Sequence, residues 1–147
     1  MLKFEGDKDF PQEPALLWPK LRDAAFLVGC IPDATVEGQP TRDEGKVTVR
    51  PGFSFVRGSL DVDVRIVEAQ EPTNVKINLK SKGVGSGSDV DVTLLLTTQA
   101  NGTHLHWSAE VTALTGLLKM VPTGLIRGAG QKAIDDLWQR VGEKLSE

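Results

Sequence analysis

An alternation of apolar and polar residues with a period of two runs through residues 34 to 113 and then gives way to a helical period that lasts to residue 145. A period of two places successive side chains on opposite faces of a strand, so that each strand has one apolar face to cover. The later stripe is typical of a long amphipathic helix. The sequence therefore predicts an α+β protein, in which a one-sided antiparallel sheet is covered by a single long C-terminal helix.

Turn signals divide the strands. Leu2 to Phe10 alternates and predicts the first strand, while Asn101-Gly102 predicts a hairpin because both residues tolerate positive φ. After that hairpin, one face of the last strand holds an apolar set: Leu105, Trp107, Ala109, Val111 and Ala113. The glycines at 83, 85 and 87 could indicate a phosphate cradle, but a strand follows them where a cradle would open a helix. A bend or strand end is the better interpretation.

Helical patterns lie on both sides of the strand region, one before residue 34 and one after residue 113. Pro14 to Gly29 predicts one or two short helices. Near the C-terminus, Pro122 falls inside the helical stripe, so the last helix either kinks there or begins near Thr123 after a looser first turn.

Length and charge limit the class of protein. A chain of 147 residues fits one domain, residues 1–147. Its 17 Lys and Arg residues are scattered among 20 Asp and Glu residues, which argues against nucleic-acid binding. The lone Cys30 predicts no internal disulfide, and no apolar stretch approaches the ~20 residues needed to cross a bilayer. We therefore expect a cytoplasmic protein.

Candidate chemical groups are few. His104 and His106 share the outer face of the last strand, yet no Cys or Asp stands nearby in sequence to complete a tetrahedral metal site. Cys30 has no neighbouring histidine, which favours a buried packing role. The carboxylate pair Asp61 and Asp63 lies on a face that looks solvated. We therefore predict no enzyme activity, no metal and no cofactor.

The alternating faces predict the lining of an enclosed apolar space between sheet and helix. Trp107 is central to the last strand, and Gly124, Gly128 and Gly130 indicate either close helix–sheet approach or removed volume that leaves a cavity. The predicted ligand-binding residues are apolar and face one another from the sheet and the helix: Val49, Leu60, Val62, Ile77, Leu94, Trp107, Ala109, Leu125, Ile126 and Ala129.

Several loosely spaced motifs resemble one known family. They are Phe4-Glu5-Gly6, Pro14 to Trp18, Cys30-Ile31-Pro32, Gly58 before Leu60, Gly102-Thr103 and Gly116. Together they resemble the CoxG-like branch of the START-like, SRPBCC superfamily, which is named after the G subunit of carbon monoxide dehydrogenase. Asp33 replaces the glycine that usually follows the third motif. The resemblance implies a helix-grip fold: a curved sheet of about seven strands wrapped round the long helix, with an apolar cavity.

The same resemblance implies a function. Members of this branch bind a hydrophobic ligand, for which a quinone-like lipid is a candidate. The resemblance also implies a role in recruiting or maturing a molybdenum-containing dehydrogenase of the carbon monoxide dehydrogenase type. Because that enzyme lies at the inner membrane, peripheral membrane contact is implied as well. Two alternatives stay open: a polyketide cyclase/aromatase-like enzyme, which needs acid, base or hydroxyl groups in the cavity, and a protein–protein adaptor with a filled core.

One further question concerns Phe53 and Phe55. A regular strand after Pro51-Gly52 would expose both rings on the outer face as a docking patch. A bulge between Phe55 and Val56 would instead turn them inward.

Overall fold

The computed structural model describes residues 2–31, 33–50, 58–83 and 85–146. Phe53 and Phe55 lie outside these residues. The strands are β1 (Leu2–Phe10), β2 (Ala34–Glu37), β3 (Glu44–Val49), β4 (Leu60–Gln70), β5 (Asn74–Gly83), β6 (Ser86–Gln99) and β7 (Gly102–Gly116). The helices are α1 (Pro14–Leu21), α2 (Ala24–Val28) and α3 (Thr123–Leu145), with a 3-10 helix at Leu117–Met120.

All seven strands form one antiparallel sheet in the order β1-β7-β6-β5-β4-β3-β2. Each neighbouring pair from β2 to β7 is consecutive in sequence, whereas β1 crosses to the far edge, where Phe4 pairs with Ala109. The seven strands, the two short helices and the long C-terminal helix confirm the predicted α+β helix-grip fold.

Local sequence explains where the helices begin. Pro14 opens α1, where its missing N–H costs nothing, and the Asp23 side chain accepts a hydrogen bond from Ala25 N at the start of α2. The last helix begins at Thr123, directly after Pro122 and the 3-10 helix. Of the two arrangements that the sequence allowed at Pro122, the structure therefore has the later start.

A bulge changes one predicted face. Val111 pairs with Val90, but Ala113 pairs with Asp89, so that Thr112 is an extra residue on β7. Its hydroxyl donates to Asp89 O at 3.1 Å. The prediction that Ala113 shares the face of Trp107 is therefore wrong, because the bulge shifts the side-chain alternation by one residue.

Burial shows where the sheet is covered most completely. Leu17 and Leu21 of α1, Val28 of α2, and Trp138 and Val141 of α3 pack in one cluster with the inner face of the sheet. All five side chains are buried. One end of the inner face is therefore closed by three helices at once.

Candidate functional site

The inner face of the sheet has a second region that is covered less. Here five apolar side chains, which point toward the helix side, are only half-buried: Val62, Leu79, Val90, Val92 and Val111. They lie on adjacent strands β4 to β7 and connect with the buried core. We call these five residues the open inner face. Partly uncovered apolar surface of this kind is what an apolar ligand could cover.

Helix α3 makes close contact with the sheet edge at one glycine. A Cβ built on Gly130 would lie 2.8 Å from Cζ of the Phe4 ring, so a larger residue would push that ring away. The Arg127 guanidinium also lies over the Phe4 ring, 5.8 Å from its centroid. At Gly130 the close-approach explanation therefore holds.

The other two glycines of this segment differ. Among the residues that the structure describes, and apart from the helix's own backbone, a Cβ on Gly124 or Gly128 would meet no heavy atom within 4 Å. The first turns of α3 are correspondingly exposed, whereas Trp138 and Val141 in its second half are buried. The N-terminal half of α3 is therefore the less tightly packed part of the cover.

The predicted lining residues on the sheet fall into two groups. Five are buried in the core: Leu60, Ile77, Leu94, Trp107 and Ala109. Val49 and Val62 are half-buried. Trp107 is covered by β1, where a Cβ on Gly6 would lie 2.8 Å from Cζ2 of the indole.

On the helix, the prediction for Leu125 is wrong. Its side chain is 52% exposed, and at about 100° per residue it lies nearly opposite Gly130 and Val141 around α3. Ile126 packs with Leu118 and Val121 in a separate small cluster. Ala129 is half-buried.

Four residues of the open inner face were not in the predicted lining: Leu79, Val90, Val92 and Val111. The alternation places all four on the inward face, but it does not distinguish the residues that are fully buried from those that are only half-buried. All four are Val or Leu, like many of the buried residues, so their residue types carry no signal of the difference in cover.

Two serines are the polar groups beside this apolar surface. Ser81 and Ser88 are register partners on β5 and β6, on the same face as Leu79 and Val90. Their hydroxyl oxygens lie 2.5 Å apart, and both residues are half-buried.

The titratable groups of interest lie on the opposite face. His104 Nδ1 lies 2.7 Å from Asp9 Oδ1, and its Nε2 lies 3.0 Å from Asp7 Oδ1. His106 Nδ1 lies 3.0 Å from the same Asp7 oxygen. Hydrogen bonding to Asp9 and then to Asp7 raises the pKa of His104, while hydrogen bonds from His106 and His104 lower the pKa of Asp7. We call these four side chains the outer ladder.

The histidines of the outer ladder could be located from the sequence, but their carboxylate partners could not. Asp7 and Asp9 belong to β1, whose pairing with β7 is not local in sequence. Among the described residues, no group of three or more His, Cys, Asp or Glu side chains is arranged to hold a metal ion. Cys30 is buried, and burial raises the pKa of its thiol. That pKa shift disfavours the reactive thiolate.

Two surface depressions lie elsewhere. One of about 340 Å³ is lined by charged and polar residues of β2 to β4, including Glu44, Lys46 and Asp63. Another of about 640 Å³ lies between the end of β1 and the C-terminal end of α3, beside Phe10 and Trp138. Neither is the predicted apolar cavity, which stays a prediction. Over the part of the chain that is described, no helix is both long enough and apolar enough to span a membrane.

The family model for CoxG, the G subunit of carbon monoxide dehydrogenase, matches residues 6–146. The chain belongs to the CoxG family. This match confirms the resemblance drawn from the sequence motifs, and it supports a ligand-binding role in general. No curated protein sequence gives a significant match.

Solved structures agree on the fold. A conserved protein from Geobacillus kaustophilus is 18% identical, with a TM-score of 0.84 over 99% of this CoxG chain and 95% of its own. The AHSA1 protein from Silicibacter pomeroyi is 11% identical, with a TM-score of 0.68 over 99% and 98%. A protein from Mycobacterium smegmatis is 12% identical, with a TM-score of 0.66 over 99% and 91%. At these identities the likeness concerns the START-like fold alone.

Proposed function

We propose that this CoxG chain is a single-domain, non-catalytic carrier that binds an apolar small molecule against the open inner face, beneath the N-terminal half of α3. The observation that supports this most directly is the half-burial of five adjacent apolar side chains on strands that are otherwise packed. Covering such surface contributes roughly 25 cal/mol per Å². The polar side chains described beside this surface are the hydroxyls of Ser81 and Ser88, which are poor acids and bases, and this favours binding over chemistry.

A quinone-like lipid is the ligand we infer, and a molybdenum-containing dehydrogenase of the carbon monoxide dehydrogenase type is the partner. Both inferences rest on the family. A flat apolar ring with a flexible tail fits a surface of Val and Leu side chains. In this role the chain would hold the lipid, while the partner would supply the redox chemistry.

Native mass spectrometry of the protein purified from its own source, followed by organic extraction, tests the proposal. We expect an adduct whose extracted mass is that of a lipid. Leu79→Trp should fill the open inner face and abolish the adduct. Lys80→Trp, the next residue on the exposed opposite face, should retain it.

Three results would contradict the carrier proposal. An adduct that survives equally in both variants would place the ligand elsewhere. Wild-type protein without any adduct would favour the adaptor alternative. Turnover of a polyketide-type substrate would favour the cyclase-like alternative.

Peripheral membrane contact is the second part of the proposal, and an exposed apolar patch near the start of α3 supports it. Leu117 is 42%, Met120 78% and Leu125 52% exposed. Leu117 and Met120 lie three residues apart in a 3-10 helix and so share one side of it. From Val111 to Ile134 the charged residues are Lys119, Arg127 and Lys132, of which Lys132 pairs with Asp136 at 2.7 Å, so that Lys119 and Arg127 are the cations beside the patch. This combination fits an anionic bilayer surface, with apolar side chains inserted and cations at the headgroups.

Vesicle co-sedimentation tests the membrane contact. We expect binding to phosphatidylglycerol vesicles that weakens as salt is raised, with little binding to phosphatidylcholine vesicles. Leu117→Ser with Met120→Ser should reduce binding severalfold. Leu16→Ser, at a 66% exposed position on α1, is the matched control and should leave binding unchanged. Equal binding by the patch variant and the control would exclude this patch as the contact.

A further inference from the structure

We infer that Ser81 and Ser88 form the polar anchor of the ligand site, and that they recognise a neutral hydrogen-bond acceptor, such as a carbonyl oxygen, on an otherwise apolar molecule. This inference rests on the proposed binding at the open inner face. It specifies the chemistry of the ligand end that lies nearest the β5–β6 turn.

The two serines lie directly beside the apolar surface. Ser81 pairs with Ser88, one step along the inner face from the pair formed by Leu79 and Val90. Both serines are half-buried, so their hydroxyls are not sealed into the core. A ligand lying on the apolar side chains therefore has this pair at one end of its surface.

The serine pair also has spare hydrogen-bonding capacity. Two hydroxyls offer two donor protons and four lone pairs. The contact between the two oxygens, 2.5 Å apart, uses one proton and one lone pair. One O–H is left without a partner in the hydrogen bonds of the described residues, and it can donate to a ligand acceptor.

A third serine on the same face points the same way. Ser86 precedes Ser88 by two residues on β6, which puts it on the same side of the sheet. It is only 8% exposed, and its Oγ has no hydrogen-bond partner among the described residues. A buried unpaired hydroxyl costs roughly 1–3 kcal/mol. Hydroxyls thus cluster at the end of the open inner face, whose five residues are Val and Leu.

The charges around the serines favour a neutral acceptor over an anion as the ligand group that they bind. The basic residues flanking the serines, Lys80 and Lys82, alternate onto the opposite face and do not share the inner surface. A carboxylate or phosphate placed beside Val90 would be desolvated without a counter-ion, which is strongly unfavourable. A ketone, quinone or ester oxygen has no such cost.

Equilibrium dialysis with two matched probes tests the anchor. 2-Acetylnaphthalene has a carbonyl where 2-ethylnaphthalene has a methylene group, and the two are otherwise alike in size and shape. We expect the wild-type protein to bind the ketone about three- to tenfold more tightly, the range that one neutral hydrogen bond provides.

Variants assign that preference to the serines. Ser81→Ala with Ser88→Ala should abolish the preference, because the ketone loses its hydrogen bond and then binds no more tightly than 2-ethylnaphthalene does. Removing both partners together leaves no unpaired hydroxyl behind in the pair, so the fold should be retained. Thr93→Val with Ser108→Ala, a facing hydroxyl pair on the outer side of β6 and β7, is the control and should keep the full preference.

The outcomes separate the anchor from the wider proposal. Equal binding of both probes by wild-type protein, or a preference that survives the double serine change, would overturn the anchor and leave apolar binding standing. Failure of the wild-type protein to bind either probe would overturn the binding site itself. Ser81→Thr, which keeps a hydroxyl, should retain the preference. Its loss in that variant would also contradict the anchor.

Discussion

At the scale of single residues, two glycines in the same helix have different surroundings. A Cβ on Gly128 would meet none of the described side chains within 4 Å, whereas one on Gly130 would meet the Phe4 ring. Gly128→Ala should therefore raise the free energy of unfolding by up to about 1 kcal/mol through helix propensity. Gly130→Ala should lower it by about 1 kcal/mol, because the buried ring must shift. Urea denaturation of both variants measures the difference, and equal effects would show that α3 does not approach β1 here.

The outer ladder yields a prediction on pH. Hydrogen bonding to Asp9 is the main cause of the raised pKa of His104, so Asp9→Asn should lower that pKa toward its usual value near 6.5. An NMR titration of the imidazole protons measures the shift. A His104 pKa that is unchanged in Asp9→Asn would contradict the contact.

The ladder also has a stability consequence with a definite sign. A raised pKa in the folded state stabilises the protein below about pH 6.5, and this contribution is lost as the pH rises through the raised pKa. Asp7, whose pKa is lowered, stabilises the folded state at pH values above its usual pKa of 3.8. This stabilisation is lost as the pH falls through the lowered pKa. His104→Ala should therefore destabilise the protein more at pH 5.5 than at pH 8.5. The effect should be small, because these side chains are well exposed.

At the scale of elements, α3 has two halves with different contacts. Its buried residues, Trp138 and Val141, both lie in the second half, while its first turns are exposed. Local opening follows the density of packed apolar contacts. Backbone amides of residues 127–131 should therefore exchange with deuterium faster than those of residues 138–145. Binding of an apolar ligand should slow deuterium exchange in the first half of α3. Equal exchange rates along the whole of α3 would show that its two halves are packed equally well.

The face of α3 that packs against the sheet could be predicted less well from the sequence than the strands could. The strands and the hairpins could be predicted because alternation and turn residues are local signals. The error at Leu125 arose because one stripe was extended across Pro122, although residues before it form a 3-10 helix with three residues per turn. The bulge at Thr112 has no residue-type signal, and the partners of His104 are distant in sequence.

At the scale of the whole molecule, a ligand that binds only the folded chain should stabilise it by mass action. At a free ligand concentration of 100 times Kd, the free energy of unfolding increases by about 2.7 kcal/mol. The melting temperature should therefore rise with the concentration of 2-acetylnaphthalene in wild-type protein and in Lys80→Trp, but not in Leu79→Trp. Differential scanning fluorimetry measures this, and an equal rise in all three proteins would indicate binding outside the open inner face.

The position of β1 affects how the chain reaches this structure. Leu2 pairs with Val111, and Phe10 pairs with Thr103. During synthesis, β1 therefore cannot pair with the sheet until β7, the last of the seven strands, has been made. Closing so long a loop costs entropy before any contact repays it, and non-local pairing of this kind slows folding. The sheet from β2 to β6 can grow hairpin by hairpin during synthesis, whereas attachment of β1 belongs to a late step after translation has passed β7.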